Sequence, residues 1–477
     1  MVYTKKERGT ILTVGLGEVL VRLGLFPVTA VVPALATELG VNAADAGWIL
    51  TVFILALAGS LLVCGRLGDL LGHPRLFVLG ALIFASASAA TAVITDFTTL
   101  VIARALQGVG AALVSGNNLA ILVRGIPPER RGAAMGIVIA GTSLVNLLAA
   151  AVAPAMVATG YWQLIFFSPL PLAVWAAVRG RRLPDGRAST ERVAVDWSGA
   201  VLLMLAMTFV AVLLNHPHTP STEAVMPLFH AGGSALAAVA IVAFLLVERR
   251  VAAPLLDWRW LREPVFAAAV SVNFLLHMTM MATLFLGPVM VVRGFGMSST
   301  AGSMIMVTSQ ATAMLTAFLG GFLYDRTGAA WLRPLSFVGM GASFLGWALA
   351  GLEGSYAGVL AVGMFAGLWM GVLVAVNNTV IMGSLPAEAH GVASGMLETT
   401  RHYGHALGVT IATAILALFV TGEGQGALPV AYGSGFAWAC VAMAVLSAVG
   451  ATLAWVPRAN GRLAAALRGT TVIPSGT

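Results

Sequence analysis

Charged side chains are scarce in this chain of 477 residues, since Asp, Glu, Lys and Arg together make up only 9% of it. Hydrophobic residues make up 59%, and the mean hydropathy is +0.93. A soluble domain of this length is excluded by such a composition. Because about 20 apolar residues suffice for a helix to cross a bilayer, the sequence predicts an all-α integral membrane protein with lipid as its solvent.

The sequence also has few of the residues that build cofactor or disulfide sites. Its two cysteines, Cys64 and Cys440, lie in or at the ends of apolar stretches and offer no disulfide framework. No glycine-rich loop followed by Lys-Ser or Lys-Thr is present, which argues against direct use of ATP. His402-x-x-His405 could suggest a membrane metalloenzyme, but beyond Glu398 nothing completes a metal site. We therefore expect no enzyme, no metal and no cofactor.

The apolar stretches predict fourteen membrane spans, centred near residues 22, 55, 85, 110, 145, 170, 205, 238, 277, 310, 342, 370, 405 and 443. If the N-terminus is inside, 22 of the 26 Lys and Arg fall in the tails and in loops on the same side. This asymmetry predicts that both termini are cytoplasmic. The net charge of +7 is then a topology signal, and we expect no nucleic-acid partner.

An internal repeat divides the chain. Gly65, Asp69 and Gly72 return 256 residues later as Gly321, Asp325 and Gly328, and Asn117-Asn118 returns 260 residues later as Asn377-Asn378. The displacement corresponds to eight spans, so we predict an N-terminal six-helix bundle (1–180), a linker segment with two inserted spans (181–262), a C-terminal six-helix bundle (263–457) and a cytoplasmic tail (458–477). Two repeated bundles are the usual construction of a secondary transporter that rocks about a central site.

Several motifs resemble those of the fourteen-span drug/proton antiporters of the major facilitator superfamily. They are the loop Gly65–Arg75, Arg104-Ala105-Leu106-Gln107-Gly108, Asp196-Trp197-Ser198-Gly199, Pro254-Leu255-Leu256-Asp257, and Gly391 to Gly395 with Arg401. The resemblance implies the major facilitator fold with two added helices, at the plasma membrane. It also implies proton coupling through Arg104 and conformational gating by the loop motif and its repeat, at Gly65, Asp69, Gly72, Arg75, Asp325 and Arg326.

The chain departs from the family pattern where protons and substrates are expected to act. Gly24 stands where an acidic residue is usual in span 1, and Phe26 and Thr29 stand where Thr and Asn are usual. The span-5 motif Gly-Pro-x-x-Gly-Gly reads Ala149-Ala150-x-x-Ala153-Pro154. This second departure weakens an inference of export and keeps import open.

Two ionisable residues lie within span 1. Each charge in hydrocarbon costs at least about 2.5 kcal/mol, so an embedded charge predicts function. Glu18 and Arg22 are four residues apart and face the same side of a helix. Glu18 either neutralises Arg22 or, if the two separate, carries the proton in place of the acid missing at Gly24. Arg104 is either a coupling residue or a buried partner for Glu18.

Span 13 carries the densest set of ionisable residues: Glu398, Arg401, His402 and His405 at positions i, i+3, i+4 and i+7. This spacing places all four on one stripe of the helix. A carboxylate, a fixed cation and two imidazoles are suitable parts for a proton relay. The alternative is a structural network in which Glu398 holds Arg401.

Uncharged polar residues predict a substrate cavity: Asn117, Asn118, Asn273, His277, Gln310, Asn377 and Asn378. His277 and Asn273 share one face of span 9, and the asparagine pairs of spans 4 and 12 are expected to face each other across the pseudo-two-fold axis. The alternative for each asparagine is an interhelical hydrogen bond.

Together these patterns predict a proton-coupled secondary transporter that acts as a monomer and exports small amphipathic compounds by alternating access. Its partners would be a small-molecule substrate, protons and the bilayer. The alternatives are a proton-coupled importer of a small metabolite and a non-transporting membrane sensor of the same fold.

Overall fold

The computed structural model describes residues 3–41, 43–94, 96–183, 197–214, 226–251, 258–385, 390–419 and 428–455. Within these ranges the regular structure is helical, and none of the described residues forms a strand. The all-α prediction is therefore confirmed for the described chain.

Eight helices cover the first six predicted spans: α1 (Lys5–Leu23), α2 (Phe26–Glu38), α3 (Ala43–Leu71), α4 (His73–Val93), α5 (Phe97–Gly125), α6 (Pro128–Ala158), α7 (Gln163–Phe167) and α8 (Leu170–Gly180). Two of the spans are interrupted, because α1 and α2 share span 1 and α7 and α8 share span 6. We call α1 to α8 the first half.

The inserted spans are α9 (Trp197–Leu214) and α10 (Met226–Glu248), and the short helix α11 (Trp258–Leu261) follows them. The second half then consists of α12 (Pro264–Val289), α13 (Ser299–Thr327), α14 (Leu332–Leu352), α15 (Tyr356–Gly383), α16 (His390–Phe419) and α17 (Leu428–Ala454). After Pro288, α12 continues into a π-helical segment, Met290–Gly294.

The span count agrees with the sequence prediction. In the described ranges, eleven helical segments are long and apolar enough to cross a membrane, and shorter apolar segments lie within α3, α6 and α9. Each of the fourteen predicted spans thus has a helical segment, and the chain is a multi-span membrane protein.

Helix packing places the two halves side by side. In the first half, α5 packs on α3 and α4, and α1 packs on α5 and α6. In the second half, α12 packs on α16, α13 on α15, and α14 on α15 and α17. The halves contact each other where α3 meets α16 and where α6 meets α13, while α9 lies against α3. The exact domain limits stay a prediction.

The break in span 1 follows from Pro27, the second residue of α2. Proline has no N–H to donate to the carbonyl four residues before it, and its ring crowds that carbonyl. Accordingly α1 ends at Leu23, and Gly24 and Leu25 join it to α2. The break lies within the apolar part of the span, where a freed carbonyl needs a donor from another helix.

The two halves close against each other at the end of the bundle far from the start of α1, which we call the far side. Thr29 Oγ1 of α2 lies 3.7 Å from the sulfur of Met306 in α13. Near the start of α3, a Cβ added to Gly47 would lie 2.6 Å from Cγ2 of Thr413 in α16. These contacts leave little space between the halves on the far side.

Candidate functional site

The ionisable residues predicted in spans 1 and 13 come together in the structure. Arg22 of α1 lies within electrostatic range of Glu398 and Arg401 of α16, and Glu398 lies within electrostatic range of Glu18. Because α1 and α16 belong to opposite halves, the charges meet on the interface between them. We call the following residues the central cluster: Glu18, Arg22, His277, Glu398, Arg401, His402 and His405.

The central cluster lies within the membrane part of the bundle. Helix α16 has 30 residues, with Glu398 and His405 eight and fifteen residues after its start. At about 1.5 Å per residue these positions are about 12 and 22 Å along the axis. His405 is therefore near the middle of the span, and Glu398 is nearer to the side on which α1 begins.

Glu398 and Arg401 form an ion pair. Arg401 Nη1 lies 2.8 Å from Oε1 and 3.0 Å from Oε2 of Glu398. The Glu398 side chain remains 34% exposed, whereas that of Arg401 is only 14% exposed. His402 Nε2 lies 3.7 Å from Glu398 Oε2. The alternative in which Glu398 holds Arg401 is thus confirmed, while coupling roles for these residues stay a prediction.

Three buried histidines extend the cluster from α16 to α12. His277 Nδ1 lies 3.1 Å from His405 Nε2, so that one ring donates and the other accepts. Their ring centroids are 4.9 Å apart, and those of His402 and His405 are 5.9 Å apart. A row of imidazoles therefore leads from the Glu398 carboxylate to His277, which the sequence had assigned only to the substrate cavity.

Two glycines bring α16 close enough to α12 for this histidine contact. A Cβ at Gly404 would lie 2.5 Å from the carbonyl oxygen of Phe274, and one at Gly408 only 2.1 Å from that of Met278. Small residues four apart are a frequent device for close helix packing in membranes. The four-residue spacing of Gly404 and Gly408 indicates close helix packing, but neither glycine was among the residues predicted for the site.

Glu18 and Arg22 do not pair with each other in this structure. Glu18 Oε1 accepts a hydrogen bond of 2.9 Å from Asn118 Nδ2. The side-chain Nε of Arg22 is buried without a hydrogen-bond partner, and the guanidinium lies 5.9 Å from the ring centroid of Phe26. Glu18 and Arg22 therefore form no direct salt bridge in this conformation, but they remain within electrostatic range of each other, and the role of each stays a prediction.

Arg104 is completely buried and binds three oxygens that carry no formal charge. Its Nε donates to Ile49 O at 2.9 Å, its Nη2 donates to Gly24 O at 2.8 Å, and its Nη1 donates to Gln107. The guanidinium also stacks 4.3 Å from the ring centroid of Phe53. The expected alternative partner, Glu18, is therefore wrong, and Arg104 instead binds the carbonyl of Gly24 at the break in span 1.

Gly24, where the family usually has an acidic residue, is closely surrounded. An added Cβ would lie 2.8 Å from Cζ of Phe53 and 3.0 Å from Cε2 of Phe84. A longer side chain fits only if these rings move. The chain thus places a backbone carbonyl beside Arg104 at the position where the family places a carboxylate.

Three of the predicted cavity asparagines hold neighbouring helices together. Asn117 Nδ2 donates to Cys64 O at 3.2 Å and its Oδ1 lies 2.8 Å from His73 Nδ1. Asn377 Nδ2 donates to Ala269 O at 3.1 Å. Asn273 Nδ2 donates to Leu397 O and to Thr400 Oγ1, both at 2.9 Å.

Asn117 and Asn377 are each engaged within their own half, so the expectation that they face each other across the axis is wrong. Their interhelical hydrogen bonds confirm the alternative. Asn378 and Gln310 are half-buried, and their place in a substrate cavity stays a prediction.

The gating motif lies at the junction of α3 and α4. Gly72 has φ of 99°, which favours glycine, and it separates Leu71 from His73 at the start of α4. Gly65 is half-buried, and Arg75 and Arg326 are exposed. Asp69 lies in α3 and Asp325 in α13, but their side chains are outside the described part of the structure. Gating by these residues stays a prediction.

Comparisons with known proteins agree with this architecture. The chain matches the Major Facilitator Superfamily over residues 14–409. It is 28% identical to the tetracenomycin C resistance and export protein of Streptomyces glaucescens over 412 residues, 86% of this chain and 76% of that protein. It is 24% identical to the riboflavin transporter RibZ of Clostridioides difficile over 393 residues, 82% of this chain and 84% of that protein.

Among solved structures, a bacterial homologue of the human lysosomal transporter Spinster superposes with a TM-score of 0.68 at 15% identity. The superposition covers 95% of this chain and 97% of the other, and it supports the fold. With the family match extending over most of the sequence, the chain belongs to the major facilitator superfamily of membrane transporters.

Proposed function

We propose that this transporter exports small amphipathic compounds in exchange for protons, by alternating access across the plasma membrane. The observation that carries the proposal is the central cluster, in which charges from α1 and α16 meet on the interface between the two halves. Movement of one half relative to the other changes the surroundings of these charges, so their protonation and the conformation are coupled.

The distribution of contacts supports alternating access. With the N-terminus in the cytoplasm, as the loop charges predict, the closed far side faces outwards. On the opposite side, a crevice of about 460 Å³ lies within the first half, between α1 and α6, with Ile11, Leu16 and Val138 among its apolar lining residues. We propose that this conformation receives substrate from the cytoplasmic side.

The exchange depends on competition between the proton and the substrate for the central cluster. A proton on Glu18 or Glu398 changes the net charge that the cluster presents to a substrate, with Arg22, Arg104, Arg401, His402 and His405 adjusting the balance. If the proton-loaded and substrate-loaded forms exclude each other, each half-cycle carries one of the two. Proton entry then drives substrate exit.

The relatives bear on the direction of transport. A relative described as a resistance and export protein favours export. The altered span-5 motif and a relative described as a riboflavin transporter favour the second candidate, an importer of a small metabolite. The charged central cluster argues against a non-transporting sensor, because a sensor has no need of embedded ionisable groups.

The experiment that tests the proposal uses purified protein in liposomes under an imposed pH gradient. Lumenal pH is followed while lipophilic cations, zwitterions and acids are added separately. Proton movement opposite to substrate movement supports antiport, whereas movement in the same direction supports the importer. Silence with every compound, in protein that is correctly folded, contradicts both.

Neutralising the cluster carboxylates should abolish this coupling. We expect Glu18→Gln or Glu398→Gln to remove substrate-driven proton movement, because glutamine lacks the negative charge that each carboxylate contributes to the central cluster. The matched control is Glu353→Gln, an exposed residue just after α14, which should transport like the wild type. Unchanged coupling in both cluster variants would contradict a role for these carboxylates.

Enlarging Gly47 should open the far side. The β-carbon of alanine would lie 2.6 Å from the Thr413 methyl carbon, so Gly47→Ala should disfavour the closed contact. The measurement is disulfide formation between Thr29→Cys and Met306→Cys, with Cys64 and Cys440 replaced by serine. We expect a lower cross-linking yield with Gly47→Ala. Gly15→Ala, where an added Cβ has nothing within 4 Å, should leave the yield unchanged.

A further inference from the structure

The two carboxylates of the central cluster have partners of different chemistry. Both oxygens of Glu398 are within 3.0 Å of Arg401 Nη1. A guanidinium has N–H donors and no acceptor. A proton on Glu398 would therefore face a donor and would break an ion pair, and this geometry favours the ionised form of the carboxylate.

Glu18 is bound instead by an amide, which has both a donor and an acceptor. Asn118 Nδ2 donates to Glu18 Oε1 at 2.9 Å, and Asn118 Oδ1 is buried without a hydrogen-bond partner. Rotating the amide by about 180° places its oxygen where the nitrogen was. In that orientation Oδ1 accepts the O–H of a protonated Glu18, so one hydrogen bond is kept in either protonation state.

Gly17 provides the space in which this amide lies. A Cβ at Gly17 would lie 2.8 Å from Asn118 Oδ1 and 2.6 Å from Cε2 of Phe77. A side chain at position 17 would therefore crowd the amide, whereas glycine leaves room for it. The unpaired Oδ1 is therefore available to accept a hydrogen bond when Glu18 is protonated.

The charged and titratable groups nearest to Glu18 lie on its own helix and on the helices packed near it. Arg22 is on its own helix, and Glu398 and Arg401 approach from α16. On α4, His73 contacts Asn117, the residue before Asn118. Towards the start of α1, Arg130 of α6 binds Glu7, and Arg179 of α8 binds Gly9 O. Of these, Arg22 interacts electrostatically with Glu18, and its side-chain Nε is buried without a hydrogen-bond partner.

We propose that Glu18 is the carboxylate that takes up and releases the transported proton, that Asn118 is its positioning residue, and that Glu398 stays ionised beside Arg401. The proposal rests on the proposed function, because a transported proton presupposes proton coupling. The proton comes from water, adds to a carboxylate oxygen of Glu18 and returns to water on the other side. No other bond is formed or broken.

The test is infrared difference spectroscopy of the full-length protein in liposomes between acidic and alkaline buffer. A protonated carboxylic acid has a C=O stretching band that its carboxylate lacks. We expect one such band to be lost in Glu18→Gln and retained in Glu398→Gln and in the control Glu353→Gln. Asn118→Leu should keep the band but shift it, because the acid has lost its hydrogen-bond acceptor.

The outcomes separate this proposal from the antiport. If the band survives in Glu18→Gln, or disappears only in Glu398→Gln, the assignment to Glu18 is overturned. Substrate-driven proton movement that persists in Glu18→Gln overturns it as well, and leaves antiport standing. If the wild type moves no protons, antiport fails, and the infrared band still decides whether Glu18 exchanges one. Glu18→Asp, which keeps an acid, should restore a band if Glu18→Gln folds poorly.

Discussion

Replacing Gly408 by alanine is expected to lower the thermal stability of the protein sharply, by about 3 kcal/mol as judged from overpacked cores. The added Cβ would lie 2.1 Å from the backbone oxygen of Met278. A backbone atom cannot rotate away as a side chain can, so α12 and α16 must separate. Separation also stretches the 3.1 Å contact between His277 and His405. The measurement is the melting midpoint of detergent-solubilised protein, followed by tryptophan fluorescence.

The same helix offers a matched control for this substitution. Gly395 is also in α16, and an added Cβ there has nothing within 4 Å. Gly395→Ala should melt at the same temperature as the wild type or higher, because alanine is the better helix former by about 1 kcal/mol. Equal melting midpoints for Gly395→Ala and Gly408→Ala would show that close approach of α12 and α16 does not limit stability.

The second large effect is expected at Arg104. Arg104→Ala leaves the carbonyl oxygens of Gly24 and Ile49 without their donor and empties a fully buried volume beside Phe53. An unsatisfied buried polar group costs about 1 to 3 kcal/mol, and a cavity adds to this. We expect a loss of at least about 3 kcal/mol in stability, measured as a drop in the melting midpoint.

Two comparisons make this expectation specific. Arg262→Ala removes the same charge from an exposed residue just before α12 and should leave the midpoint unchanged. Arg104→Lys retains a positive charge but has one nitrogen in place of a planar guanidinium, so it should recover only part of the loss. Wild-type melting of Arg104→Ala would mean that Arg104 does not hold the broken span together.

The fold was predictable because its main determinants are periodic or compositional. Apolar stretches of span length, the sidedness of Lys and Arg, and the repeated Gly-Asp-Gly pattern require no knowledge of tertiary contacts. They led to the span count and the family. The interruption of span 1 was indicated only in part, since Pro27 marks a bend but does not reveal what satisfies the freed carbonyl.

The sequence predicted which residues belong to the candidate site, but it predicted less well which of them contact each other. Embedded charges are costly enough that Glu18, Arg22, Glu398 and Arg401 stood out from the sequence. Their partners depend on contacts between spans 1 and 13, which are 380 residues apart for Glu18 and Glu398. Helical spacing therefore favoured a pair of Glu18 with Arg22, whereas interhelical packing supplied Asn118 instead.

The asparagines show again that the sequence does not predict which groups contact each other between helices. The repeat placed Asn117 and Asn377 at equivalent positions, which suggested equivalent exposure to a central space. In the structure their amides find carbonyls of neighbouring helices in the same half. An amide in an apolar bundle takes the nearest backbone partner, and sequence symmetry does not say which partner is nearest.

The break at Gly24 and Leu25 divides span 1 into two short helices. The outer helix, α2, contacts Met306 of the opposite half through Thr29, whereas the inner helix, α1, contains Glu18. Pro27 removes a helical hydrogen bond across the joint, so α1 and α2 are not joined by continuous helical hydrogen bonding. Arg104 of α5 donates a hydrogen bond to the carbonyl of Gly24 and so holds the joint between α1 and α2. Glu18 lies six residues before Gly24. If Glu18 carries the proton, as proposed, its charge changes in the same span that forms the far-side contact through Thr29.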